Sequence, residues 1–305
     1  MDGSVARPRP LLALGIRLVT AVVFATMGML VKLASERGVH LVEMIFWRQA
    51  LTFVLIVLGL ALLGKLATLR TQRLKNHAGR AVTGGVGMLF TYGAVILLPL
   101  AEATTLSYTA PFFAVVIAVT MFGEKVGLYR SAAVIIGFAG VMVVMQPGSG
   151  GDDITFSGVA VALIAAGMVA LISYQVQDLN KTESPWTIIF WFTAISGPVL
   201  LVAMPFFASW HDQETYWIVL AMALCGGLAQ ILLTSSLRFG SAGVVLLMDY
   251  TGLLWATWYG WSVFDRAPPP TLWLGAPLII GAGLLIAWRE RKLAQEAQKG
   301  EAVPR

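Results

Sequence analysis

Charge is scarce in this chain. Of 305 residues only 12% are Asp, Glu, Lys or Arg, while 58% are hydrophobic. A soluble domain carries about 25% charged residues, so this sequence cannot cover a soluble globule of its size. Cysteine is nearly absent. The one copy, Cys225, lies inside an apolar run, excludes an intrachain disulfide and reads as a packing residue. His40, His77 and His211 are scattered and make no metal-ligand spacing. No Walker sequence is present, which argues against ATP-driven pumping by this chain. Gly84-Gly85-Val86-Gly87 follows no strand and reads as helix packing rather than a phosphate loop. Convergent acids, or a histidine with a nucleophile, are missing from the apolar segments, so no enzyme is expected. The alternating segments of about ten residues that mark a membrane β-barrel are missing too. The net charge of +5 sits in short connections, so no nucleic-acid partner and no cofactor are expected.

What is there is a series of long apolar runs. A membrane-crossing helix needs about 20 mostly apolar residues. Ten runs qualify: 11–34, 41–64, 80–99, 103–122, 129–146, 156–177, 186–208, 215–237, 241–263 and 271–288. The first follows Arg7 and Arg9, as a signal core would, but is longer than the usual 7–15 residues. It is read as a retained span. Asn76–Arg80 and Gly148–Asp153 are polar or glycine-rich and are expected to be loops.

Orientation follows from Lys and Arg, which favour cytoplasmic connections. With the N-terminus inside, all but Lys32, Arg37, Arg48 and Arg266 of the 21 basic residues fall on the cytoplasmic side, Arg80 among them. Asp152, Asp153, Asp212 and Glu214 fall outside. Both ends are therefore expected in the cytoplasm.

The two halves echo each other. Ile45-Phe46-Trp47-Arg48 recurs as Ile189-Phe190-Trp191-Phe192, and Ile135-Ile136-Gly137 as Ile279-Ile280-Gly281, both 144 residues on. Phe122 recurs as Phe264 at 142. An odd unit of five spans, duplicated, enters the membrane in opposite directions; transporters use such inverted repeats, with the site near the midplane between them. The expected fold is thus an all-α membrane protein of ten transmembrane helices in two inverted five-helix repeats. The parts are a cytoplasmic tail (1–10), a first repeat (11–147), an outer linker (148–155), a second repeat (156–289) and a basic cytoplasmic tail (290–305).

The most informative stretch is Leu98–Gln146. Thr104, Thr105, Ser107, Tyr108, Thr109 and Pro111 interrupt its first apolar run, and Gly123-Glu124-Lys125 form a charged hinge after it. Hydrocarbon offers such polar groups no partner, so this helix should face protein or water. Pro111 cannot donate to the carbonyl four residues earlier, that of Ser107, and the pair share one helix face. A kink there would line a cavity wall or be satisfied by a neighbouring hydroxyl.

These residues resemble the EamA-type members of the drug/metabolite transporter superfamily. The likeness rests on Phe46-Trp47-Arg48, on Leu98-Pro-Leu-Ala-Glu-Ala-Thr-Thr-Leu with Ala110-Pro-Phe-Phe, on Phe122-Gly-Glu-Lys and on Gly137-Phe-Ala-Gly-Val. It covers the whole chain and is strongest over 85–147. It implies a multi-pass carrier of the bacterial inner membrane, with spans one, three, four, six, eight and nine around a central cavity and spans five and ten as scaffold. By resemblance, many such carriers export amino acids or other small metabolites, and others carry riboflavin, S-adenosylmethionine or nucleotide-derived solutes. A monomer or weak homodimer working on a small molecule in the lipid bilayer is expected.

Individual residues refine this. Asp249 lies deep in the ninth span, where a carboxylate is costly, so it reads as a holder of a substrate amine or a proton, or as a packing acid paired with a hydroxyl. Arg48 lies roughly 10 Å below the outer face. It reads first as a structural cation paired with Glu43 or a helix end, and second as a carboxylate binder. Lys32 and Glu43 lie near the outer boundary and read as a gate or charge pair with it. Tyr92, Tyr108, Tyr174, Tyr250, Trp255 and Trp258 could supply a stacking pocket with polar handles. Gln175, Gln177, Gln230 and Thr234 add hydrogen-bond partners. The expected substrate contacts are Tyr92, Ser107, Tyr108, Pro111, Tyr174, Gln230, Asp249, Tyr250 and Trp255. Trp210, Trp217, Trp273 and Trp288 read as interfacial anchors, and Gly137, Gly140, Gly281 and Gly283 as points of close helix approach.

Overall fold

A computed structural model describes residues 10–123, 127–145, 154–236 and 250–298. Among them there are helices and no strand. They are α1 (Pro10–Glu36), α2 (Leu41–Leu62), α3 (Leu74–Leu97), α4 (Leu100–Ser107), α5 (Ala110–Phe122) and α6 (Leu128–Met145) in the first half. The second half has α7 (Phe156–Asn180), α8 (Pro185–Phe207), α9 (Gln213–Ser236), α10 (Gly252–Phe264) and α11 (Pro270–Gln298). Among the described residues eight helical segments are long and apolar enough to cross a membrane, counting α4 with α5 as one.

Local chemistry explains the ends. Thr155 and Ser184 accept bonds from the Gly158 and Thr187 amides, capping α7 and α8. Pro185 opens α8, where its missing N–H costs nothing. The expected loop at Asn76–Arg80 is instead inside α3, which starts six residues earlier than hydropathy alone suggests. His77 and Arg80 are buried there, so α3 tolerates them through tertiary contacts that a hydropathy window does not see. At the chain's end, α11 continues to Gln298, past the expected tail boundary at 290.

The interrupted stretch is broken rather than kinked. α4 stops at Ser107, Tyr108 and Thr109 turn, and α5 starts at Ala110. Pro111 therefore sits in the first turn of a new helix, where an absent donor and a fixed φ are tolerated. Ser107 is exposed, and its hydroxyl donates to the Thr104 carbonyl (2.7 Å). Tyr250 and Thr251 form the corresponding turn before α10. α5 and α10 are both 13 residues long, and both end in a left-handed residue, Gly123 (φ 65°) and Asp265 (φ 52°). Residues 124–126, 146–153 and 237–249 lie outside the described residues, so the expected hinge acid Glu124, the expected outer linker and Asp249 fall there.

The helices pack as α1 on α9, α3 on α7, α2 on α8 and α6 on α11, with α2 also on α9 and α3 on α8. Exchanging the two halves maps this set onto itself. α6 and α11 meet at glycines: a Cβ on Gly140 would lie 2.9 Å from the Gly275 carbonyl oxygen, and one on Gly275 2.8 Å from that of Gly140. Without a hydrophobic force between helices in lipid, such close backbone approach is what holds them. Of the glycines expected there, Gly137 instead makes room for the Phe112 ring and Gly283 for the Tyr250 hydroxyl, while Gly281 has nothing near it. The outer faces are apolar, and Trp210, Trp217, Trp273 and Trp288 are all exposed, Trp210 by 97%.

Candidate functional site

The buried polar residues gather where α2, α3, α8 and α9 cross. α3 presents Arg80, Gly84, Met88 and Tyr92 along one buried face, each four residues from the last. α9 presents Met222, Gly226 and Gln230 at the same spacing. α2 adds Arg48, Gln49 and Thr52, all buried.

Arg48 is 6% exposed. Its Nη1 donates to Met88 Sδ (3.2 Å) and its Nη2 to Gln230 Oε1 (3.3 Å), while Nε has no partner. Arg80 is 5% exposed; its guanidinium lies 4.4 Å from the Phe192 ring centre, and its Nε and Nη1 have no partner. Among the described residues neither guanidinium is ion-paired. Gln49 Nε2 donates to Ser196 Oγ (2.5 Å) beside them, and the Tyr92 hydroxyl points at Met27 Sδ and Met222 Sδ (3.7 and 3.6 Å). The lining is soft and polarisable, with Met27, Met44, Met88 and Met222 in one cluster.

Two glycines seat this arrangement. A Cβ on Gly226 would lie 2.6 Å from Arg48 Nε, and one on Gly84 2.7 Å from Phe192 Cε2. Phe192 is the residue that recurs for Arg48 in the second repeat, and Gly226 follows Gly84 by 142 residues. Gly226 thus makes room for the Arg48 side chain, and Gly84, at the matching place, for the Phe192 ring together with the Arg80 guanidinium stacked on it.

Both ends of the bundle are tied. At one end Glu43, 2% exposed, accepts from His211 Nε2 (3.1 Å) and the Ser209 amide (3.4 Å), and Arg37 donates to Glu214 (2.7 Å). The Asp212 carboxyl there is held below the usual carboxylate range, first by the Thr215 hydroxyl. At the other end Arg73 pairs with Asp178 and donates to Thr182 Oγ1 (3.0 Å), Thr71 donates to Glu183 (2.6 Å), and Thr187 donates to the Thr68 carbonyl (2.7 Å). The first tie joins the α1–α2 connection to α8–α9, the second joins α7–α8 to α2–α3. Exchanging the halves converts one into the other.

The sequence-derived residues divide accordingly. Arg48, Tyr92 and Gln230 meet in the cluster. Arg48 does not pair with Glu43, whose partner is His211, because five residues along α2 separate them by about 7.5 Å and turn them onto different faces. Lys32 donates to the Leu98 and Val95 carbonyls (2.8 and 3.3 Å), filling acceptors at the α3 end before Pro99. Tyr108 and Tyr250 stack edge-to-face at 4.8 Å, joining the two helix breaks. Tyr174 donates to the Ala114 carbonyl (3.0 Å) on α5. Trp255 is on an exposed face of α10, edge-on to Trp258 at 6.1 Å. Asp249 lies outside the described residues. Arg80 was missed because a basic residue near a span start counts as a loop cation; its register with Gly84 and Tyr92 was the available signal.

Comparison with known proteins follows the same division into halves. The EamA-like transporter family matches residues 11–146 and again 156–288. The chain is 32% identical over 252 residues to the riboflavin transporter of Rhizobium johnstonii, covering 81% of each. It is 27% identical over 283 residues to the riboflavin transporter of Vibrio cholerae serotype O1, covering 92% of this chain and 94% of that one. It is 25% identical over 270 residues to the pseudopaline exporter CntI of Pseudomonas aeruginosa, covering 87% and 92%.

Proposed function

The chain belongs to the EamA-like transporter family of the drug/metabolite transporter superfamily, and on that premise we propose that it is a secondary transporter of a small metabolite. It works by alternating access, with ten transmembrane helices in two inverted repeats, both termini in the cytoplasm and the chain in the bacterial inner membrane. The observation that carries this reading is the buried polar cluster at the crossing of α2, α3, α8 and α9, closed at both ends by ties that the repeat exchange interconverts. Inverted repeats place the site at their interface and open one side at a time. The tie at Glu43–His211 is then the outer gate and the tie at Arg73–Asp178 the inner one.

Amino acids, aromatic ones included, moved outward are the first substrate class. A vitamin-like or nucleotide-derived solute moved inward is the second. Two observations favour the second: Arg48 is buried and reaches Met88 in the cluster that also holds Tyr92 and Phe192, and two of the relatives are riboflavin transporters. Asp249 is proposed to hold a substrate amine or a proton. Counterflow in proteoliposomes, with labelled amino acids, nucleosides and riboflavin each exchanged against its own unlabelled pool, separates the classes. Exchange of amino acids alone supports the first and exchange of riboflavin or nucleosides the second; exchange of none overturns the transporter reading. Asp249→Asn is expected to abolish the effect of a pH gradient on exchange, and an unchanged gradient response would remove Asp249 from coupling.

A further inference from the structure

Two guanidiniums in one apolar crossing, each more than nine-tenths buried, need an explanation. A buried charge is costly unless paired and hydrogen-bonded. Here three guanidinium nitrogens, Arg48 Nε with Arg80 Nε and Nη1, lack a partner.

The duplicated fold supplies an internal control. In the second repeat the residue matching Arg48 is Phe192, and at the Gly84/Gly226 offset of 142 the residue matching Arg80 is Met222. Phe192 and Met222 are both fully apolar and only 4% and 0% exposed. The scaffold therefore packs these two positions without a cation. Helix packing does not account for Arg48 and Arg80, and both lie in one repeat, so the repeat interface is electrically lopsided. Guanidiniums present planar forks that match the oxygens of carboxylate and phosphate.

We propose that Arg48 and Arg80 form the subsite for an anionic oxygen group, carboxylate or phosphate, on the transported solute. The proposal rests on the transporter reading for the solute and on the geometry alone for the anion. The aromatic and methionine side chains around the guanidiniums take the apolar body of the same molecule, with Phe192 stacked on Arg80 as one wall. Gln230 holds the Arg48 fork through Nη2 and so positions it.

The test uses the full-length purified protein and measures thermal unfolding at constant ionic strength with acetate, inorganic phosphate or chloride. A saturable rise in midpoint with acetate or phosphate over chloride, lost in Arg80→Met and in Arg48→Met and kept in the surface control Lys65→Gln, is the expected result. Arg80→Lys covers the case in which a methionine variant does not fold: it is expected to retain a weakened shift. In parallel, flavin fluorescence titrations compare riboflavin with riboflavin 5′-phosphate, and tryptophan fluorescence titrations compare tryptophanamide with tryptophan. In at least one pair the member that carries the carboxylate or phosphate is expected to bind tenfold or more tighter than the member that lacks it, with the ratio falling to near one in Arg80→Met. No oxyanion shift, or an equal shift in Arg80→Met, overturns the subsite whatever is transported. A shift that depends on both arginines, with no counterflow of any solute, leaves the subsite standing and overturns the transporter reading instead.

Discussion

Arg80→Met is expected to make the ligand-free protein more stable while removing its function. The two unpartnered nitrogens of Arg80 each cost about 1–3 kcal/mol of lost solvation. Its stacking on Phe192 at 4.4 Å returns about 2 kcal/mol in a dry site. Methionine keeps the aliphatic volume of the stem, as Met222 does at the matching place, so no large cavity opens. The balance is a gain of about 2 kcal/mol, the size seen when buried ionic groups give way to apolar ones. For a chain of this length that is a rise of roughly 3 °C in the unfolding midpoint. Intrinsic fluorescence of the purified protein measures it, and counterflow on the same preparation measures function. A fall in the midpoint by several degrees would refute the reasoning, because it would mean that Arg80 is satisfied within the native fold and serves packing.

Other expectations follow from the glycine seats and the tie around Glu43 and Asp212. Gly226→Ala places a Cβ 2.6 Å from Arg48 Nε and 2.8 Å from its Cδ, and is expected to cost about 1–3 kcal/mol and to displace the fork. Gly85→Ala, with nothing within 4 Å, is expected to be neutral or to stabilise α3 by about 0.5–1 kcal/mol; parallel thermal unfolding checks both. Asp212 titrates below the ordinary carboxylate value, so its contribution is present above the unfolded value near 3.9 and lost only as pH falls through the depressed one. Protease cleavage of the 208–212 segment is therefore expected to be constant between about pH 5 and 8 and to rise only in stronger acid, and Asp212→Asn is expected to remove that acid dependence.

Hydropathy made most of the helices legible, because hydrocarbon forces backbone to satisfy itself in long apolar helices. The interruption at Thr104–Pro111 was legible as a special segment. Its form was not: proline marks either a kink or a helix start, and only the turn at Tyr108–Thr109 decides for the start. The duplication was legible at 142–144 residues, and the structure gives it meaning by seating Phe192 on Gly84 as Arg48 sits on Gly226. Arg48 was legible as an intramembrane cation but not its partners, since Met88 and Gln230 come from two other helices. Arg80 was hidden by a rule that counts charge near span ends without regard to face. Which helix faces which is a tertiary fact, and one chain's hydropathy carries little of it.

Alternation between the two ties is the central claim, and locking one of them tests it most directly. Glu43→Cys with His211→Cys, in a Cys225→Ala background, places two thiols across the buried contact now made at 3.1 Å. A short bifunctional thiol reagent should bridge them. Counterflow in proteoliposomes is expected to fall to background on bridging and to remain intact in each single-cysteine protein treated alike. Full exchange by the bridged protein would contradict alternating access through this end.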